Sequence, residues 1–237
     1  MSKLIIANWK MNPASIAEAV TLAKETDANN LIVCPPFVFL KAVGEVLQKA
    51  NLGAQDLFWN GPTGAFTGEV SAAELKDLGV EYVIIGHSER RINVGETNEM
   101  VAKKVATALK EGLIPILCIG ETLEEKKTGL RDEVLKKQLE ISLSQVSQLS
   151  DVYVAYEPIW AISTNPNAEP DRPENTIEVI NFLKKDFPVK FLYGGSVNAN
   201  NAELFLQPKE IEGALVGGAS LKKDQIKKIV EVAAKFK

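Results

Sequence analysis

Histidine is almost absent. The 237-residue chain has one, His87, which excludes a zinc site built on two or three imidazoles and any His-Glu-x-x-His metallohydrolase motif. Cysteine is nearly as scarce, with Cys34 and Cys118 alone. Two lone thiols inside apolar runs fit buried cysteines in a reducing compartment rather than a disulfide framework. Positive charge is not in excess: 27 Lys and Arg against 31 Asp and Glu leave a net charge of −4. Such a chain lacks the basic face that phosphate backbones require, so nucleic acid is not an expected partner. No run of about 18 apolar residues occurs, which argues against a helical membrane span. The stretch Leu4-Ile5-Ile6-Ala7 is too short for a signal peptide. The expectation is a cytoplasmic protein with no membrane partner. Neither a P-loop nor a G-x-G-x-x-G element is present, so a nucleotide is not indicated.

What is present is a repeated pattern. Short apolar runs cover residues 4–8, 31–34, 52–55, 82–85, 114–119, 152–156, 191–193 and 214–216. They recur about every 30 residues, roughly the length of one βα unit. Many are β-branched and bounded by Gly or Pro, as buried strands are. Helical faces lie between them: Ile16, Ala19, Val20 and Ala23; Val101, Val105, Ala108 and Leu109; Ile226, Ile229, Val230 and Ala233. Asn12-Pro13 reads as an N-cap followed by Pro at the first helical position, and Gly112 as a helix stop. Eight alternating units imply a parallel α/β sheet, open or closed. Their even spacing and the absence of a linker favour a single-domain (β/α)₈ barrel over residues 1–237. The one long break, 57–71, is rich in Gly and Thr, and loops of that length are usually functional.

A barrel builds its site at the carboxyl ends of its strands. The first run ends Asn8-Trp9-Lys10, which puts Asn8 and Lys10 on one side and Trp9 on the other. Lys10 there can hold an anion, although a solvated lysine fits as well. The fourth run ends Gly86-His87-Ser88-Glu89-Arg90-Arg91. A neutral His87 could polarise a carbonyl, or be a satisfied structural histidine, and Glu89-Arg90-Arg91 reads as an ion-pair cluster. The sixth run ends Glu157-Pro158. Desolvation at a barrel rim makes a carboxylate a better base; a rim ion pair is the plainer alternative. Gly194-Gly195-Ser196 and Gly217-Gly218-Ala219-Ser220 follow the last two runs, where barrels bind phosphate, with a helix expected to start at Ser220. Either Gly pair alone could mark only a tight turn.

Taken together, six segments resemble the triosephosphate isomerase family: Asn8-Trp9-Lys10-Met11-Asn12, residues 64–71, residues 85–91, residues 155–162, residues 193–197 and residues 215–221. The likeness covers nearly the whole chain. It implies a (β/α)₈ barrel that interconverts dihydroxyacetone phosphate and D-glyceraldehyde 3-phosphate through an enediolate, with no cofactor and no metal. The roles of the glutamate base and the neutral histidine are known features of that family rather than deductions from this sequence. Carried over, Glu157 matches the base, His87 the electrophile, Lys10 the cation, Asn8 the polar group beside it and Glu89 the supporting acid. Ser163, Ser196, Gly217 and Gly218 match the phosphate contacts. Residues 158 to about 165 match a closing lid with Trp160 near its hinge. Loop 57–71 matches the family's homodimer loop, with Thr67 reaching the neighbour's site and Glu69 facing Arg90 across the interface.

The chain departs from the pattern at the lid, where Ser163 and Asn165 replace glycines and Pro166 follows. The stretch from Glu157 to Tyr193 reads as shorter than usual, and Gln55-Asp56 stands where Gln-Asn is common. The lid changes lead us to expect altered closure, and they support the alternative of a barrel that binds sugar phosphates without efficient turnover.

Overall fold

The computed structural model describes residues 2–162 and 169–236. In chain order its elements are β1 (Leu4–Asn8), α1 (Ile16–Thr26), β2 (Leu31–Cys34), α2 (Leu40–Gly44), β3 (Asn51–Ala54), α3 (Ala72–Asp77), β4 (Tyr82–Ile85), α4 (Ser88–Val94) and α5 (Asn98–Lys110). Then come β5 (Ile114–Ile119), α6 (Leu123–Lys127), α7 (Arg131–Ser142), β6 (Tyr153–Tyr156), α8 (Pro173–Leu183), β7 (Lys190–Tyr193), α9 (Ala202–Leu206), β8 (Gly213–Val216) and α10 (Lys223–Ala233). Each strand pairs in parallel with its sequence neighbour, and β8 returns to β1 with Leu4 opposite Gly213, so the sheet closes as a (β/α)₈ barrel.

Strand alternation divides the apolar residues into two cores. Ile6, Ile32, Cys34, Ile84, Ile116, Cys118, Ala155, Leu192 and Leu215 fill the barrel interior. The alternate residues, such as Ile5, Ala7, Val33, Val83 and Val154, pack outward with the helices. Burying each Ile or Leu contributes about 1.5–3 kcal/mol. Both strand faces are therefore apolar, which is why these strands read as continuous hydrophobic runs.

The same alternation decides what reaches the mouth. One step beyond the interior layer, the inward positions of successive strands are Asn8, Gly86, Gly120, Glu157, Gly194 and Gly217. A Cβ on Gly194 would come within 2.6 Å of Glu157 Cγ, and one on Gly217 within 3.3 Å of Lys10 Cε. These glycines leave the room that the two charged side chains occupy.

Two local expectations are corrected. Helix α1 begins at Ile16, not Pro13. Its N-cap is Ser15, whose hydroxyl accepts the Glu18 N–H at 3.3 Å. Asn12 lies in the loop after β1 instead, where its side-chain amide donates to the Trp9 carbonyl at 3.3 Å. The helix expected from Ser220 is instead a short 3₁₀ turn over Gly218–Leu221, and α10 starts at Lys223. Ser220 is held in that turn by a hydrogen bond from its hydroxyl to the Asn8 carbonyl. The expected stop at Gly112 is present. With φ of 72° it lets its own N–H reach the Leu109 carbonyl and the Leu113 N–H reach that of Ala108, which closes α5 in a Schellman motif.

Candidate active site

The carboxyl ends of β1, β4, β6, β7 and β8 surround one pocket, whose walls include Asn8, Lys10, His87, Glu157, Ser196 and Gly217. Gly218 also lines it. Ser163, the remaining expected phosphate contact, lies outside the described residues, as do Asn165 and Pro166 of the expected lid.

Lys10 sits in the left-handed region with φ of 54°, a conformation a long side chain adopts only when its surroundings impose it. Asn8 Oδ1 accepts the Lys10 N–H at 3.0 Å. Gln55 Nε2 donates to the Lys10 carbonyl at 2.8 Å and to the Cys34 carbonyl at 2.9 Å. The ammonium Nζ then lies 2.6 Å from Glu89 Oε1. Glu89 thus supports Lys10 directly, at the pocket's edge.

His87 is the N-cap of α4, and its Nδ1 accepts the Glu89 N–H at 3.2 Å. A nitrogen that accepts carries no proton, so the neutral ring carries its hydrogen on Nε2. That nitrogen is 3.3 Å from Glu157 Oε1. The distance is within hydrogen-bonding reach, yet the ring N–H is not aimed at the oxygen. Glu157 Oε1 is therefore a buried carboxylate oxygen without a hydrogen bond. The other oxygen, Oε2, accepts the Ser88 N–H at 3.2 Å, from the first turn of α4. Glu157 is 1% exposed, so its carboxyl group is surrounded by protein rather than by water. Below it, burial and then the Glu157 carboxylate push the Cys118 thiol up from its ordinary value, which keeps it protonated and inert.

The expected Glu89-Arg90-Arg91 cluster is not one cluster, because successive residues of a helix point in different directions. Glu89 faces Lys10. Arg90 turns away to Asp56 at 2.9 Å and Glu96 at 3.3 Å. Arg91 turns to backbone carbonyls. This also explains Asp56. Its carboxylate meets Lys104 at 2.6 Å as well as Arg90, and Lys104 in turn meets Glu96. Two acids and two bases compensate one another beneath the site.

Glu121 escaped the sequence reading. It is fully buried one position past Gly120, and its Oε1 accepts from Trp160 Nε1 at 2.7 Å and Tyr156 OH at 3.1 Å. Burial pushes its carboxyl up, against the pull of those donors. Its signal resembled the one that marked Glu157, a carboxylate just past an apolar run, but with Gly120 between. Ser196 Oγ donates to the Ala161 carbonyl at 2.7 Å, so both Glu121 and Ser196 hold the segment that follows Pro158.

The triosephosphate isomerase family model matches residues 3–233. The chain belongs to the triosephosphate isomerase family. The triosephosphate isomerase of Thermoanaerobacter pseudethanolicus is 46% identical, across 96% of this chain and 98% of its own length. Those of Dictyoglomus thermophilum and Aquifex aeolicus are 41% and 40% identical, each across 97% of this chain and 98% and 99% of their own. Three of the six matching motifs place Lys10, His87 and Glu157 at the ends of β1, β4 and β6.

Proposed function

We propose that the chain interconverts dihydroxyacetone phosphate and D-glyceraldehyde 3-phosphate by proton transfer through an enediolate. Membership of the isomerase family supports the reaction, and one observation carries the assignment of residues. Glu157, His87 and Lys10, far apart in sequence, face a single pocket with Glu157 Oε1 3.3 Å from His87 Nε2. In this reading Glu157 moves the proton between the two carbons. His87 donates to the developing oxyanion, and Lys10, beside Asn8 and steadied by Glu89, stabilises its charge. Ser163, Ser196, Gly217 and Gly218 grip the phosphate, whose binding energy helps to organise the site. The alternative of a barrel that binds without efficient turnover rests on the lid changes alone, which lie outside the described residues, and Lys10, His87 and Glu157 around one pocket argue against it.

Residues 1–237 act here as one domain, in the cytoplasm. No helix among the described residues is long and apolar enough to cross a membrane. The active form is a homodimer joined through loop 57–71. Beside Lys10 lies an open cleft of about 400 Å³ bordered by Gln55, Asp56 and Arg90, suited to receive Thr67 of a second copy, with Glu69 near Arg90. Met11, 93% exposed, lines the cleft, and Ile92 and Val94 of α4 leave further apolar surface exposed. A chain that sediments as an active monomer at micromolar concentration would remove the dimer.

The test of the chemistry is a coupled isomerase assay on the wild type and Glu157→Asp. Withdrawing the carboxylate by one methylene should cost about 100-fold in kcat, the usual penalty for a misplacement near 1 Å. Equal rates would remove Glu157 from the mechanism.

A further inference from the structure

Arg91 is a charged side chain that the reaction scheme leaves unused. It follows His87 by one helical turn. Its Nε donates to the Gly86 carbonyl at 2.7 Å, its Nη2 to the Cys118 carbonyl at 3.2 Å and its Nη1 to Asn98 Oδ1 at 2.6 Å. Among the described residues no carboxylate comes within ion-pairing distance of it. One planar group thus ties the end of β4, the end of β5 and the first turn of α5.

The peptide that receives the shortest of the two carbonyl bonds is Gly86–His87 itself. Gly86 has φ of +72°, and a Cβ there would lie 2.9 Å from Arg91 Nη2 and 3.0 Å from a Val101 methyl. The corner that aims the imidazole is therefore shaped around the guanidinium. A fork of fixed donors suits this task better than a flexible ammonium, because it holds several acceptors at set angles. Burial pushes the guanidinium down, and the Glu96 and Glu157 carboxylates oppose it.

We propose that Arg91 is a positioning residue for His87: it clamps the Gly86–His87 peptide to β5 and α5 and so fixes where Nε2 points. This rests on the reading of His87 given above, and the test separates the two. His87 is the only histidine, so in untagged protein its two ring nitrogens give the only imidazole ¹⁵N signals. Arg91→Met should fold and lower kcat by tenfold or more with KM changed less than threefold, and it should shift the His87 ¹⁵N signals. Arg91→Lys should recover part of both. Asn98→Ala, which removes one anchor of the guanidinium, should move both in the same direction by less. Unchanged His87 signals in the variants, with or without a loss of kcat, would overturn the proposal. If Arg91→Met does not fold, Arg91→Lys and Asn98→Ala decide by the same criterion. A His87→Gln enzyme as active as the wild type would instead overturn the role of His87.

Discussion

Two buried groups of charges lie side by side at the carboxyl end of the barrel, and they are built on opposite terms. In the quartet of Asp56, Lys104, Glu96 and Arg90, two acids are matched by two bases, and Lys104 is 2% exposed. Around Glu157 the acid is equally buried, but among the described residues no Lys or Arg pairs with it; it has one backbone N–H and a neighbouring imidazole, and its Oε1, like Glu96 Oε2, has no hydrogen bond. Compensation makes the first group a structural unit, since a buried charge costs several kcal/mol unless it is paired. The absence of a cationic partner around the second fits the proton-accepting role proposed for Glu157. The difference lies in partners rather than depth.

That contrast can be broken at three points. The largest effect is expected at Lys104→Met, which leaves two buried carboxylates sharing the partly exposed Arg90 alone and should lower unfolding stability by about 3–5 kcal/mol in urea titration. A loss below 1 kcal/mol would mean that water already screens the quartet. Glu157→Gln should behave in the reverse way. Its kcat/KM should fall by about 10²- to 10⁴-fold, while its melting temperature stays level or rises because a poorly satisfied charge has gone. A melting temperature that falls with activity would place Glu157 among the structural charges.

The smallest effect concerns Glu121. Burial raises its carboxyl above the ordinary value, so the folded chain holds that proton more tightly than the unfolded one. Its stabilising contribution is complete below the ordinary carboxylate value and is lost as pH rises through the raised one. Glu121→Gln, neutral throughout, should flatten the pH dependence of stability across that window while keeping acceptors for Trp160 and Tyr156. An unchanged slope would show that Glu121 does not contribute to it.

Much of this molecule was legible as a pattern along the chain. The eight strands lie within a residue of the apolar runs, and alternation alone places Asn8 and Glu157 facing the mouth. The roles of the charged residues came from six motifs occurring together, because Lys10, His87 and Glu157 each had an ordinary structural explanation when taken singly. Local signals misled where a side chain had another use. Asn12 resembles a cap but serves the loop after β1, and Ser220 resembles a helix start but is tied to the Asn8 carbonyl.

The linear order of residues determined the βα repeat, the inward and outward faces of each strand, and which strand ends carry charge, since all three follow from periods of two and 3.6 residues. Only the closed barrel decided which of those charges meet. Gln55 reaches the Lys10 carbonyl, Asp56 finds Lys104, Glu121 receives Trp160, and Arg91 spans Gly86 and Cys118. The spans between these partners run from 5 to 48 residues, and no local propensity encodes them. They exist because closing the sheet brings distant strand ends to a common rim, where buried polar groups must find partners or remain available for chemistry.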